Sequence, residues 1–99
     1  MPLLLRDIDH QRVRALMALH LPGVTGRIYG SRLTGQAHEA SDLDLALVAP
    51  NLQPIPVDQL ERFRQAVNDS LIPILLDARD WARLPKDFHT EIEKSFVEL

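Results

Sequence analysis

Gly30 and Ser31 are followed by ten residues, then by Asp42, Leu43 and Asp44, then by an apolar run. A Gly-Ser turn ahead of two carboxylates at i and i+2 is the arrangement a metal-dependent nucleotidyl-transfer site requires. On a strand, Asp42 and Asp44 share one face while Leu43 and Leu45 take the other, and the two carboxylates lie about 6 to 7 Å apart. Carboxylates so placed can share Mg²⁺, which is held by one or two carboxylates together with substrate phosphates. Gly30 has no Cβ, so backbone there can approach a ligand closely. Ser31 offers a hydroxyl and an N–H at the head of a helical turn, a position that attracts phosphate. Four fixed positions of this kind arise by chance in about one chain in a thousand of this length. The bland alternative is a solvated Ser-Asp turn with strand-capping aspartates.

A third acid is wanted on a neighbouring strand. Asp77, ending the run ILLD, is preferred, and Asp80, three residues on, is the alternative with a turn or cap role. No Walker A loop and no dinucleotide fingerprint is present.

The elements that must position these residues follow from apolar periodicity. Asp9 is expected to cap a helix to about His20, with Val13, Leu16 and Met17 as its stripe and Pro22-Gly23 as its stop. Val24 to Tyr29 reads as a strand leading into Gly30. Ser31 to Thr34 suits a short helical turn and Gln36 to Ser41 a polar loop. Asp42 to Ala49 is a second strand, apolar enough to be covered on both faces. After the linker NLQPIP, a helix over Val57 to Asn68 carries Val57, Leu60, Phe63 and Val67 on one face. Ile72 to Asp77 is a third strand, with Pro73 at its first positions or at a sheet edge. Pro85 opens a last helix, Lys86 to Lys94, and Phe96 to Leu99 adds a short strand. The order predicts an α/β (α+β) domain with a small mixed sheet and helices packed on it.

Ninety-nine residues suit one domain, residues 1–99. No cysteine is present, which excludes disulfides and thiolate sites, and the cytoplasm is the expected location. No apolar run is long enough for a membrane span. The net charge of −3 and the lack of a basic block argue against direct nucleic-acid binding.

Gly30, Ser31, Asp42 and Asp44, with the later segment LLDARDWARLPKDFHTEIEK, resemble the minimal nucleotidyltransferases of the DNA polymerase β superfamily, the MNT group encoded beside HEPN proteins. The likeness spans roughly residues 10 to 97 and implies a polymerase β-like core that transfers AMP from ATP with release of pyrophosphate. It implies that Asp42 and Asp44 hold two Mg²⁺ ions (Mn²⁺ being the alternative), that Asp77 completes the catalytic one, and that Gly30, Ser31 and Arg32 bind the triphosphate. For Arg32 an exposed salt bridge is the competing role. Family members act as antitoxins of the type VII kind on a HEPN ribonuclease toxin, with a toxin tyrosine as acceptor. Two other readings stay open: an antitoxin that only masks its partner, and a small-molecule nucleotidyltransferase. Larger relatives carry an added helical domain, so a partner chain, a homodimer or a hetero-oligomer is expected to complete the site, with weak activity of the chain alone.

Other conspicuous residues take structural roles. His10, His20, His38 and His89 lack metal spacing and are expected at surfaces or helix ends. Trp81 is expected to pack on the helix that follows it, and Tyr29 to pack in the sheet. Arg12, Arg14, Arg62 and Arg64 read as solvated helix faces.

Overall fold

The computed structural model describes residues 6–30, 43–73 and 75–99. In chain order these form α1 (Asp7–His20), β1 (Thr25–Tyr29), β2 (Leu43–Val48), a 3₁₀ turn (Pro50–Leu52), α2 (Val57–Asn68), β3 (Leu76–Asp80), a second 3₁₀ turn (Trp81–Arg83), α3 (Lys86–Lys94) and β4 (Val97–Glu98). The sheet is mixed and four-stranded, in the order β3-β2-β1-β4. β1 runs antiparallel to β2 and to β4, and β2 runs parallel to β3. The α+β class expected from the sequence is the one observed. No helix among the described residues is long and apolar enough to cross a membrane.

Helices cover both faces of the sheet. On one face α1 contributes Val13 and Met17, Leu21 follows just past its end, and α2 contributes Leu60, Phe63 and Val67, all packed on Ile28, Leu43, Leu45, Leu47 and Ala78. On the other face Ile92 of α3 joins Trp81, Ala46 and Val48, with Tyr29 and Leu84 at the margin. Burial on both sides explains why β2 is apolar at nearly every position. Gly26 allows α1 to sit close on β1, since a Cβ there would come within 2.9 Å of Leu45 Cδ1 and 3.2 Å of Met17 Cε.

Several expectations need correction. Asp9 does not cap α1. The helix starts at Asp7 with Arg6 ahead of it, and Asp9 is a buried first-turn residue. Its carboxylate accepts from Arg6 Nε at 2.8 Å and lies 3.6 Å from Arg12 Nη1, so flanking guanidiniums offset the burial of its charge. Val57 lies on the exposed first turn of α2, outside the apolar face. Arg64 is not simply solvated: its Nη2 and Nε donate to the Ala78 carbonyl at 2.6 and 3.2 Å, and its Nη1 pairs with Glu61. Arg12 likewise reaches the Leu71 carbonyl at 3.3 Å. Arg62 matches the expected solvated face, paired with Asp58 in the open.

The largest displacement concerns β3. Apolar residues suggested Ile72 to Asp77, yet pairing runs from Leu76 to Asp80. Proline at position 73 has no N–H to donate to a ladder, and Ile72 N instead bonds Ser70 Oγ at 3.2 Å in a turn. Leu71 and Leu75 stay exposed, while the polar end of the strand is held by Asp80. Asp80 is therefore the last strand residue and not beyond it. It also caps the following turn, accepting from Ala82 N at 3.2 Å. Ile55 N donates to the same carboxylate at 2.9 Å, and Arg83 bridges it to the Ile55 carbonyl. One buried carboxylate thus ties the segment entering α2 to the end of β3.

Removing the Asp80 carboxylate leaves a buried N–H and a guanidinium without their acceptor. Asp80→Ala is expected to lower stability by about 3 kcal/mol in chemical denaturation. Exposed Leu52 has φ of +57°, a left-handed conformation costly for a side chain. Leu52→Gly is expected to raise stability by up to about 1 kcal/mol in the same measurement.

Candidate active site

The alternation of β2 decides where its carboxylate goes. Leu43, Leu45 and Leu47 are fully buried against α1 and α2, so Asp44 must project from the opposite face. Ala78 is fixed in the same core, which sends its neighbours Asp77 and Arg79 to the face of Asp44. Register then aligns them, because Asp44 pairs across to Tyr29 on β1 and to Asp77 on β3. A phenol and two carboxylates form one row across three adjacent strands. Neighbouring strands are about 4.8 Å apart, which brings the two carboxylates within reach of one cation.

Gly30 closes this row. Its φ of +84° is left-handed, and a Cβ there would collide with Asp44 Oδ2 and lie 3.2 Å from Asp44 Cγ. The backbone leaving β1 is thus pressed against the Asp44 carboxylate, a fit that only glycine permits.

Among the described residues, Arg79 is paired with the row. Its Nε lies 3.3 Å from both Asp77 carboxylate oxygens and its Nη2 lies 3.2 Å from Oδ2. The guanidinium also sits 5.7 Å from the Phe88 ring centre on α3. Tyr29 is half-buried, and its ionisation is pushed above the ordinary phenol value. Burial is the main cause, the negative charge of Asp44 adds to it, Arg79 opposes it, and Asp77 adds a smaller upward push. The phenol therefore stays protonated at neutral pH, able to donate a hydrogen bond.

Of the sequence-predicted residues, the fold brings together Gly30, Asp44 and Asp77. Ser31, Arg32 and Asp42 lie outside the described residues, as do His38 and the turn and loop expected between Ser31 and Ser41. Asp80, the alternative third acid, is on the opposite face of β3, where its bonds are structural. Trp81 packs as expected, buried and stacked on His89 of α3 at 3.9 Å and 4°. His89 departs from the surface role: it is partly buried, and its Nε2 lies 2.6 Å from the Trp81 carbonyl. Arg79 was missed because the third strand was expected to stop at Asp77. Strand periodicity carried past Asp77 finds it.

Asp44 and Asp77, side by side in the strand register, offer hard oxygen ligands of the kind Mg²⁺ takes. Among the described residues no three acidic, histidine or cysteine side chains converge. A cleft of about 450 Å³ opens beside Asp77 and Arg79, walled by Val57 and Leu60 of α2 and by Arg83 and Leu84. Asp77, at the outer end of the row, has access to solvent from that side.

Known proteins share this arrangement of elements. Residues 14–98 match the family described as the nucleotidyltransferase domain. The chain is 33% identical over 87 residues to the probable protein adenylyltransferase MntA of Haemophilus influenzae, covering 88% of this chain and 75% of that protein. The fold also superimposes on a chain from a crystal structure of a toxin-antitoxin with AMP-PNP, with a TM-score of 0.73 at 17% identity. That match covers 89% of this chain and 69% of the other, and it shows a common fold. With a family match over nearly its whole length, this chain belongs to the nucleotidyltransferase-domain family.

Proposed function

We propose that this chain is the antitoxin of a toxin-antitoxin pair and transfers AMP from ATP to a hydroxyl of its partner, a tyrosine of a HEPN toxin. The observation carrying this reading is the alignment of Gly30, Asp44 and Asp77 on one face of the sheet. The similarity to a probable protein adenylyltransferase, and the fold shared with a chain of a toxin-antitoxin structure, support it.

In this reading Asp42, Asp44 and Asp77 hold the Mg²⁺ ions. When bound, the ions neutralise charge on the attacking and leaving oxygens of an in-line displacement. Gly30 brings its backbone against the triphosphate, and Ser31 contributes its N–H and hydroxyl there. Arg32 adds a cation to the phosphates. Asp77, on the edge strand beside the cleft, faces the side from which the acceptor enters, and takes the proton of its hydroxyl. The acceptor oxygen forms a bond to the α-phosphorus as the bond to pyrophosphate breaks.

Incubating the chain with α-labelled ATP, Mg²⁺ and the product of the adjacent gene is expected to label that product. Asp44→Asn and Asp77→Asn should each reduce labelling by about a hundredfold or more while leaving thermal unfolding near that of the wild type. Labelling that survives both changes would overturn the assignment. If the double variant transfers no AMP yet still neutralises the toxin at equal expression, masking alone accounts for the antitoxin effect. Gly30→Ala forces a side chain into the Asp44 carboxylate and is expected to cost about 1 to 2 kcal/mol of stability, with labelling lost even at temperatures where the variant stays folded.

A further inference from the structure

We propose that Arg79 is a latch on Asp77, holding its carboxylate while no metal is bound and moving to a phosphate of the nucleotide once a cation takes that carboxylate. The inference rests on the proposed function, since it treats Asp77 as a metal ligand. Three observations lead to it.

First, Arg79 engages both oxygens that a cation would need. A metal approaching Asp77 therefore competes with the guanidinium for the same two oxygens. Second, the pair separates readily, because both side chains are well exposed, 45% for Arg79 and 37% for Asp77. Exposed pairs of this kind add little to stability. Third, Arg79 differs from the other two arginines of the cleft. Arg64 is committed to the Ala78 carbonyl, and Arg83 to the Ile55 carbonyl and buried Asp80. Among the described residues, the hydrogen bonds of Arg79 go to Asp77 alone.

The surroundings suit such a movement. Strand alternation keeps Arg79 on the carboxylate face in either position. The Phe88 ring, 5.7 Å away, gives the flat guanidinium an aromatic surface. Once released, its fork of donors matches phosphate oxygens better than any other side chain would. Exchange of partners then couples the two ligands. The metal loses affinity to the latch when it binds alone, and the nucleotide regains that loss by capturing the freed cation. Arg79 is thus a positioning residue for Asp77 and a phosphate contact only in the loaded site.

Calorimetric titration of the full chain tests this without any transfer reaction. Arg79→Gln should bind Mn²⁺ about threefold to tenfold more tightly than the wild type in the absence of nucleotide. With Mn²⁺ saturating, the same variant should bind a non-hydrolysable ATP analogue about tenfold more weakly. In an Asp77→Asn background the Arg79→Gln gain in metal affinity should vanish, because the latch has nothing to hold. Unchanged or weaker Mn²⁺ binding by Arg79→Gln overturns the latch, as does unchanged binding of the analogue. If the wild type binds no Mn²⁺ with or without the analogue, the metal-dependent function itself falls. The two failures are therefore distinct. Thermal unfolding confirms that each variant is folded, and Arg79→Lys, which keeps the charge without the fork, should give intermediate values in both titrations.

Discussion

Everything at the carboxylate face depends on the alternation of β2. Three leucines at positions 43, 45 and 47 are driven into the core against α1 and α2, and that burial fixes the direction of the residues between them. A slip of one residue would bury Asp44 and expose the leucines, at the cost of a desolvated charge and a large apolar area. The strength of the hydrophobic core is thus what orients a polar side chain on the other side of the sheet. β3 obeys the same rule through Ala78, and β1 through Ile28. Pairing then does the lateral alignment, so that Tyr29, Asp44 and Asp77 lie abreast although 15 and 33 residues separate them along the chain.

The two acids of β3 show how much location decides. Asp77 and Asp80 differ by three residues, an odd number, so they lie on opposite faces of one strand. Asp80 meets a backbone N–H, a turn N–H and a guanidinium, and it becomes part of the frame. Asp77 meets solvent and an exposed arginine side chain, and among the described residues no backbone group holds it in the hydrogen bonds that Asp80 has. The same side chain is locked into the frame in one place and left at the surface in the other.

Much of this was legible in the sequence, and for physical reasons. β1, β2, α2 and α3 have clear periodicity and clear stops, and their observed bounds fall at or within a residue of those expected. The placement of Gly30 beside Asp44 was legible because a Gly-Ser turn and acids at i and i+2 before an apolar run have few other uses. β3 was not, since its edge position and mixed burial leave the apolar run ILLD outside the paired segment, while ARD pairs instead. That displacement hid Arg79. Asp9 misled for a different reason: an aspartate near a helix start satisfies the dipole from the first turn as well as from the cap. Tyr29 was expected to pack in the sheet, and it does. What its type could not tell was that the same packing sets it beside two carboxylates.

Arg64 bears on how another protein can meet this one. β3 is an outer strand, and such strands tend to recruit a strand from a neighbouring chain through their free carbonyls and N–H groups. The Ala78 carbonyl is already held by two guanidinium donors, at the middle of the strand. A visiting strand would have to pull that arginine away before it could zip along the edge. Strand addition along this edge therefore competes with the Arg64 bonds, which guards against indiscriminate strand exchange.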